Sequence, residues 1–378
     1  MPAARFNLTR LFRAPFGEGH RHVSRFTVVT ATRASTITTL LAIPGVLLLF
    51  ALPSFAGRTL LQELFYVFTM LALAQMWNLL AGCAGLISVG QQAFVGIGAY
   101  ALFGFTLMAG LEPALSIVLA GLVAGAIAVP AALIVFRLRG AYFAIGTWVV
   151  AEVCRLVLAQ FKQLGGGTGT SLPPDIVDSI IGREFVRHVF AVRGPAARDM
   201  LSYWFALVLA VGTFLLVYRL LRSRHGLALS AIGDAEAAAE SAGVDVFRTK
   251  LLIYIVTAFA TGMVGALIFL QKARISPDAA FSLIDWTAYV IFIVVIGGIG
   301  SMEGPIIGVL IFYLLQYYLA ALGSWYLMLL GGLAILLMLF APAGVWGLVS
   351  YSFDISLFPV RRRLIARPEN TDKTTSPG

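Results

Sequence analysis

Few residues of this 378-residue chain combine the types and spacing that chemistry requires. Its four histidines, His20, His22, His188 and His225, are scattered through arms and loops. The two cysteines, Cys83 and Cys154, show neither CxxC nor Cys/His metal spacing and read as small packing residues. The sequence contains no GxxxxGK[ST] phosphate loop, HExxH zinc site or GxSxG nucleophile turn. No catalytic residue, metal ligand or bound cofactor is therefore assigned, and the chain does not read as an enzyme. Any uphill movement it supports must draw on an ion gradient or on another subunit.

Four polar or glycine-rich constellations remain. In GLISVGQQAFVGIGAY, residues 85–100, four glycines surround Ser88, Gln91 and Gln92, with Phe94 beside them. Glycine at this density permits a broken or closely packed helix, and polar groups at membrane depth require protein or a watery path. Both small-residue packing and a pathway are open for Ser88, Gly90, Gln91, Gln92 and Phe94. A second break, VVIGGIGSMEGPIIGVLI at residues 294–311, carries Gly300 and Ser301. Between the two lies AIGDAEAAAESAGVDV, residues 231–246, read as one alanine-rich helix ending at Gly243. Glu236 and Glu240 share a face of that helix, and its alanines leave a smooth surface for a partner's groove. Glu152 and Arg155, three apart in an apolar stretch, read as an intrahelical ion pair near the outer interface, with an exit-path lining as the functional version.

The elements that position these residues follow from composition. Hydrophobic residues make up 60% of the chain and charged residues 12%, against about 25% charged in soluble proteins. Mean hydropathy is +0.91. A spanning helix needs about 20 apolar residues, because its backbone must satisfy its own hydrogen bonds across about 30 Å of hydrocarbon. Such stretches fall at residues 37–55, 60–80, 86–108, 114–136, 142–161, 201–221, 251–270, 286–299, 305–321 and 326–340. The fold class is an all-α polytopic integral membrane protein of about ten transmembrane helices with glycine-rich breaks. An even count puts both termini on one side.

The net charge of +9 is a poor sign of nucleic-acid binding, because arginines gather between apolar stretches as topology signals. Arg5, Arg10, Arg13, Arg21, Arg25 and Arg33 precede the first span, Arg137 and Arg139 follow the fourth, Arg219, Arg222, Arg224, Arg248 and Lys250 flank the alanine-rich segment, and Arg361–Arg363 close the chain. All of these fall on one face, which is read as cytoplasmic. Lys272 and Arg274 run against the rule. The basic leader is read as a cytoplasmic arm in preference to a transit peptide. The division is a basic arm at 1–36, a membrane domain at 37–348 with an external segment at 161–200 and a cytoplasmic loop at 222–250, and a cytoplasmic tail at 349–378.

Over residues 60–348 the chain resembles the permease subunits of ATP-driven importers for branched-chain amino acids, specifically the larger of the two paired permeases. The resemblance is carried by residues 85–100, RLRGAYFAIGTW at 137–148, LGGGTGTSLPP at 164–174, the 231–246 segment, GGIGSMEGPIIG at 297–308 and MLFAPAGVWGL at 338–348. It implies a type II-like ABC importer permease, multi-pass in a bacterial inner membrane. The implied partners are a homologous second permease, or a second copy of this chain, two cytoplasmic ATP-binding subunits that use ATP and Mg, and a periplasmic substrate-binding protein. Asp234, Glu236, Ala237, Ala238, Glu240 and Gly243 match the loop that engages the ATPase, and Gly167 and Thr168 join the candidate gate. Gln91 stands where many members carry His, and Ala341, before Pro342, where many carry a basic residue, so no proton role is carried to Gln91. Relatives handling urea, short amides or sugars are the alternative substrate readings. An ion-coupled secondary transporter is disfavoured because Glu152 has Arg155 nearby, Asp285 begins a span and Glu303 sits in a turn. A membrane scaffold would not require an ATPase-facing helix.

Overall fold

The computed structural model describes residues 26–29, 33–319, 321, 323–341, 343–353, 357–358 and 363–366. Arg5, Arg10, Arg13, Arg21, Arg25, Arg361, Arg362 and Pro342 lie outside the described residues. The elements begin with β1 (Phe26–Val29), α1 (Arg33–Ala51), α2 (Arg58–Asn78), α3 (Gln91–Leu107), α4 (Pro113–Val135) and α5 (Ala141–Leu158). The chain then forms β2 (Thr170–Ser171), α6 (Pro174–Asp178), α7 (Arg183–Val189), α8 (Gly194–Arg222), α9 (Arg224–Asp234), α10 (Glu236–Ser241) and α11 (Val246–Lys272). It closes with β3 (Arg274–Ile275), α12 (Pro277–Ala280), α13 (Tyr289–Gly297), α14 (Gly304–Leu319), α15 (Ser324–Phe340), α16 (Gly344–Phe353) and β4 (Arg363–Ala366).

Among the described residues seven helical stretches are long and apolar enough to cross a bilayer: Arg58–Cys83, Pro113–Val135, Ala141–Leu158, Gly194–Arg222, Val246–Lys272, Pro277–Gly297 and Trp325–Ser352. Two shorter apolar stretches, Leu40–Ser54 and Gly304–Leu319, and the 17-residue α3 occupy the other three expected positions. The protein is thus a polytopic all-α membrane protein. The stretch expected to be helical from residue 86 becomes so only at Gln91, because Gly85 takes φ +69° and the backbone stays non-helical up to Gly90. Likewise α13 stops at Gly297, where Gly298 (φ +127°) and Gly300 (φ +79°) turn the chain before α14.

Water cannot drive helices together within hydrocarbon, so close backbone packing must do so. The principal bundle is α11 against α4 and α3. On α4, Ala120, Ala124 and Ala128 recur every four residues and are fully buried. A Cβ at Gly98 of α3 would lie 2.0 Å from the Gly262 carbonyl oxygen of α11, and one at Gly265 would lie 2.3 Å from the Val95 carbonyl oxygen. Only glycine allows those backbones to meet. At the centre α2 is 83% buried over its apolar window, against α8, α11, α13 and α14, whereas α5 is only 17% buried within the chain.

One end of the bundle carries the long α5–α8 connection. There β2 pairs antiparallel with β3, Thr170 opposite Ile275. Asp199 of α8, almost fully buried, accepts from Arg58 and Gln62 of α2 and from Gln271 of α11, so three helices share one carboxylate. Three donors at a buried carboxylate offset the cost of removing its charge from water. The other end carries α9 and α10. The β1–β4 ladder, Phe26 opposite Ala366, places the two ends of the helical region on one side.

Candidate functional site

The first glycine-rich break is built on α2. That helix widens into a π-helical turn at Leu79–Cys83, and the chain then runs without regular structure past Ser88 into α3. The Ser88 carbonyl accepts from Trp77 Nε1 at 2.8 Å, and Ser88 Oγ accepts from the Gly90 amide at 3.1 Å. The Val89 amide donates to Thr147 Oγ1 of α5 at 3.0 Å. A Cβ at Gly90 would lie 2.2 Å from the Thr147 carbonyl oxygen, so Gly90 is where the break touches α5. Gln91 Nε2 donates to the Leu73 carbonyl at 3.0 Å. The Gln92 amide donates to Thr287 Oγ1, which donates back to Gln92 Oε1. Phe94 stands edge-on to Tyr254 with ring centres 5.4 Å apart. Ser88, Gln91, Gln92 and Phe94 are all buried. Ser88 and Gln91 are thus tied to α2, Gln92 to Thr287 in the turn before α13, and Phe94 to α11.

The second break lies against the first. Asn78, at the end of α2, donates from Nδ2 to the Ser301 carbonyl at 2.8 Å and accepts at Oδ1 from the Gly300 amide at 2.7 Å. Gln75, one turn earlier, donates to the Met302 carbonyl at 3.0 Å. A Cβ at Gly82 would lie 2.5 Å from the Gly300 nitrogen. Ser301 Oγ donates to the Gly298 carbonyl at 2.7 Å and accepts from the Gly304 amide at 3.0 Å, which starts α14. Gly300 and Ser301 are thereby brought together with the first break. Sequence reasoning missed Gln75, Asn78, Thr147 and Thr287, all of which hold the breaks. Their signal was available: an amide or hydroxyl inside an apolar span needs a partner.

Gly167 and Thr168 sit elsewhere. They lie in the exposed turn between α5 and β2, where Thr168 Oγ1 donates to the Gly165 carbonyl at 3.0 Å. Their turn packs beside α12. A Cβ at Gly169 would lie 1.9 Å from the Ile275 carbonyl oxygen, so the turn is tied to β3. Beside it, Arg155 Nη2 meets Glu152 Oε1 at 2.6 Å and Arg155 Nη1 meets Asp278 Oδ1 at 2.8 Å. The sequence gives the first pair by spacing; it could not give Asp278, 123 residues away.

At the opposite end the single helix expected over residues 231–246 is two helices. α9 ends at Asp234, Ala235 is extended at φ −163°, and α10 starts at Glu236. The break is fixed by a small apolar cluster of Ile232, Ala239 and Val246, with Ala231 and Val244 packed on it, which a continuous helix would pull apart. Gly243 (φ +85°) ends α10 as expected: its amide donates to the Glu240 carbonyl and that of Val244 to the Ala239 carbonyl. Asp234, Glu236, Ala237, Ala238, Glu240 and Gly243 are all exposed on this surface. Lys250 at the base of α11 reaches Glu236 at 2.9 Å.

A family model described as "Branched-chain amino acid transport system / permease component" matches residues 59–339. The chain is 29% identical over 334 residues to the high-affinity branched-chain amino acid transport system permease protein LivM of Escherichia coli K12, covering 78% of this chain and 77% of that one. It is 27% identical to the probable branched-chain amino acid transport permease protein LivM of Methanocaldococcus jannaschii (61% of this chain, 67% of that one). It is also 27% identical to that organism's probable LivH, over 46% of this chain and 57% of that one. No solved structure matches.

Proposed function

The chain belongs to the family of branched-chain amino acid transport system permease components, and from that membership we propose that it forms half of the membrane pathway of an ATP-driven importer for branched-chain amino acids. The observation that carries this reading is the α9–α10 surface. A chain with no phosphate loop of its own presents a capped pair of short helices whose alanines and carboxylates are exposed, while their apolar side is packed inward. Such a surface suits insertion into a groove on a separate ATPase, which binds ATP and Mg. Relatives named LivM and LivH both match the chain, which supports a homologous second permease as its membrane partner.

The α9–α10 end and both termini are then cytoplasmic, and the α5–α8 end faces the periplasm of a bacterial inner membrane, where a binding protein delivers the amino acid. Closure of the ATPases displaces α10. The Glu236–Lys250 pair passes that displacement to α11, and the backbone contacts of Gly262 with Gly98 and of Gly265 with Val95 pass it to α3. No compressible side chain separates the two helices there, so α3 follows α11. The displacement arrives at the paired breaks, where Ser88, Gly90, Gln91, Gln92, Phe94, Gly300 and Ser301 form the hinge of an alternating-access cycle.

The test is Glu236→Lys with Glu240→Lys in the assembled complex. Reversing two charges at a complementary interface predicts a loss of about tenfold in ATP hydrolysis stimulated by the loaded binding protein, with uptake falling in parallel. Unchanged stimulation and uptake would remove α10 from the coupling route. Glu236→Lys with Lys250→Glu restores the internal pair but keeps one reversed surface charge, so persistent loss there assigns the defect to the docking surface.

A further inference from the structure

Arg155 lies on the fourth-to-last position of α5, a helix that the rest of the chain scarcely covers. Ile145, Trp148, Val149, Glu152 and Leu156 recur at helical spacing on one stripe of α5, and the four apolar members are exposed. At the outer end of that stripe one guanidinium serves two carboxylates. Arg155 Nε donates to both Glu152 oxygens at 3.0 Å, and Nη1 donates to Asp278, whose side chain is 85% exposed. These paired charges lie in the last turns of the span, where such groups reach the interface with water. The cluster has one more anion than cation.

We propose that Glu152, Arg155 and Asp278 receive the charged head group of a zwitterionic amino acid at the outer mouth of the pathway, with its aliphatic side chain along Trp148 and Val149. This rests on the importer reading above. The substrate carboxylate replaces Asp278 at Arg155 Nη1, and the substrate ammonium takes the released Asp278, so the surplus carboxylate gains a cation. Arg155 keeps Glu152 throughout, which fixes the plane of the guanidinium for bidentate recognition. A neutral amide or a sugar offers neither charge. Releasing Asp278 also frees α12, which follows β3 and lies beside the Gly166–Thr168 turn, so occupancy is communicated to that turn.

The test uses the reconstituted complex with saturating leucine-loaded binding protein. Arg155→Gln is expected to lower leucine uptake by about tenfold while stimulated ATP hydrolysis stays near wild type, with Arg155→Lys recovering part of the uptake. A second measurement reads occupancy directly. In the Ala279→Cys complex without binding protein, leucine should slow maleimide labelling at position 279, beside Asp278, and leucinamide and 4-methylpentanoate, each lacking one charge, should not. The protection should vanish with Arg155→Gln. Uptake unchanged by Arg155→Gln, equal loss of uptake and ATP hydrolysis, equal protection by all three compounds, or labelling that follows anionic-lipid content instead of leucine would each overturn the proposal. A wild-type complex that hydrolyses ATP but imports no leucine would refute the importer reading itself, a result distinct from all of these.

Discussion

Asn78 is bonded through both its amide nitrogen and its amide oxygen to the loop between α13 and α14. Replacing it with Ala removes the hydrogen bonds to the Gly300 amide and the Ser301 carbonyl at a part-buried seam, each worth about 0.5–1.5 kcal/mol. Asn78→Ala should therefore lower the thermal midpoint of the purified protein and raise uncoupled ATP hydrolysis in the assembled complex, as the hinge loses its resting position. An unchanged midpoint and unchanged coupling would show that the loop is held by other means. Much at this scale was legible in the sequence: Gln91, Gln92, Ser88 and Ser301 stood out because polar groups are rare in an apolar stretch. What they bond to was not legible. Gln75 and Met302 are 227 residues apart, and nothing in the spacing of either break names the partner.

Element by element, glycine does two different jobs that the sequence alone cannot separate. Gly98 and Gly104 both lie on α3, yet a Cβ at Gly98 would meet the Gly262 backbone at 2.0 Å, while one at Gly104 would meet nothing within 4 Å. Gly98→Leu should prevent α3 from seating on α11 and abolish assembly, measured by co-purification with the partner subunits, whereas Gly104→Leu should assemble normally. Loss of assembly in both would mean that helix α3 tolerates no bulk at all and that the Gly98 contact is not special. The same limit applies to α9 and α10. Composition gave the alanine-rich helix and its Gly243 terminus, because capping is local. It could not give the extended Ala235, which is set by Ile232, Ala239 and Val246 closing on one another. Asp199 is the complementary case: its carboxylate on α8 accepts from side chains of α2 and α11, partners that no local spacing names.

For the whole molecule, hydropathy located the spans, since the length of a bilayer-crossing helix is fixed by the membrane. The apolar faces of α5 and α15 are little covered by the rest of the described chain, which leaves them to lipid or to a partner subunit. The most direct measurement is uptake by proteoliposomes containing this chain with its second permease, ATP-binding subunits and binding protein. Leucine, isoleucine and valine should accumulate in a manner that requires ATP inside the compartment facing α9 and α10 and survives collapse of ion gradients. Uptake that persists without ATP and disappears with an ion gradient, or transport of urea with none of leucine, would contradict that expectation.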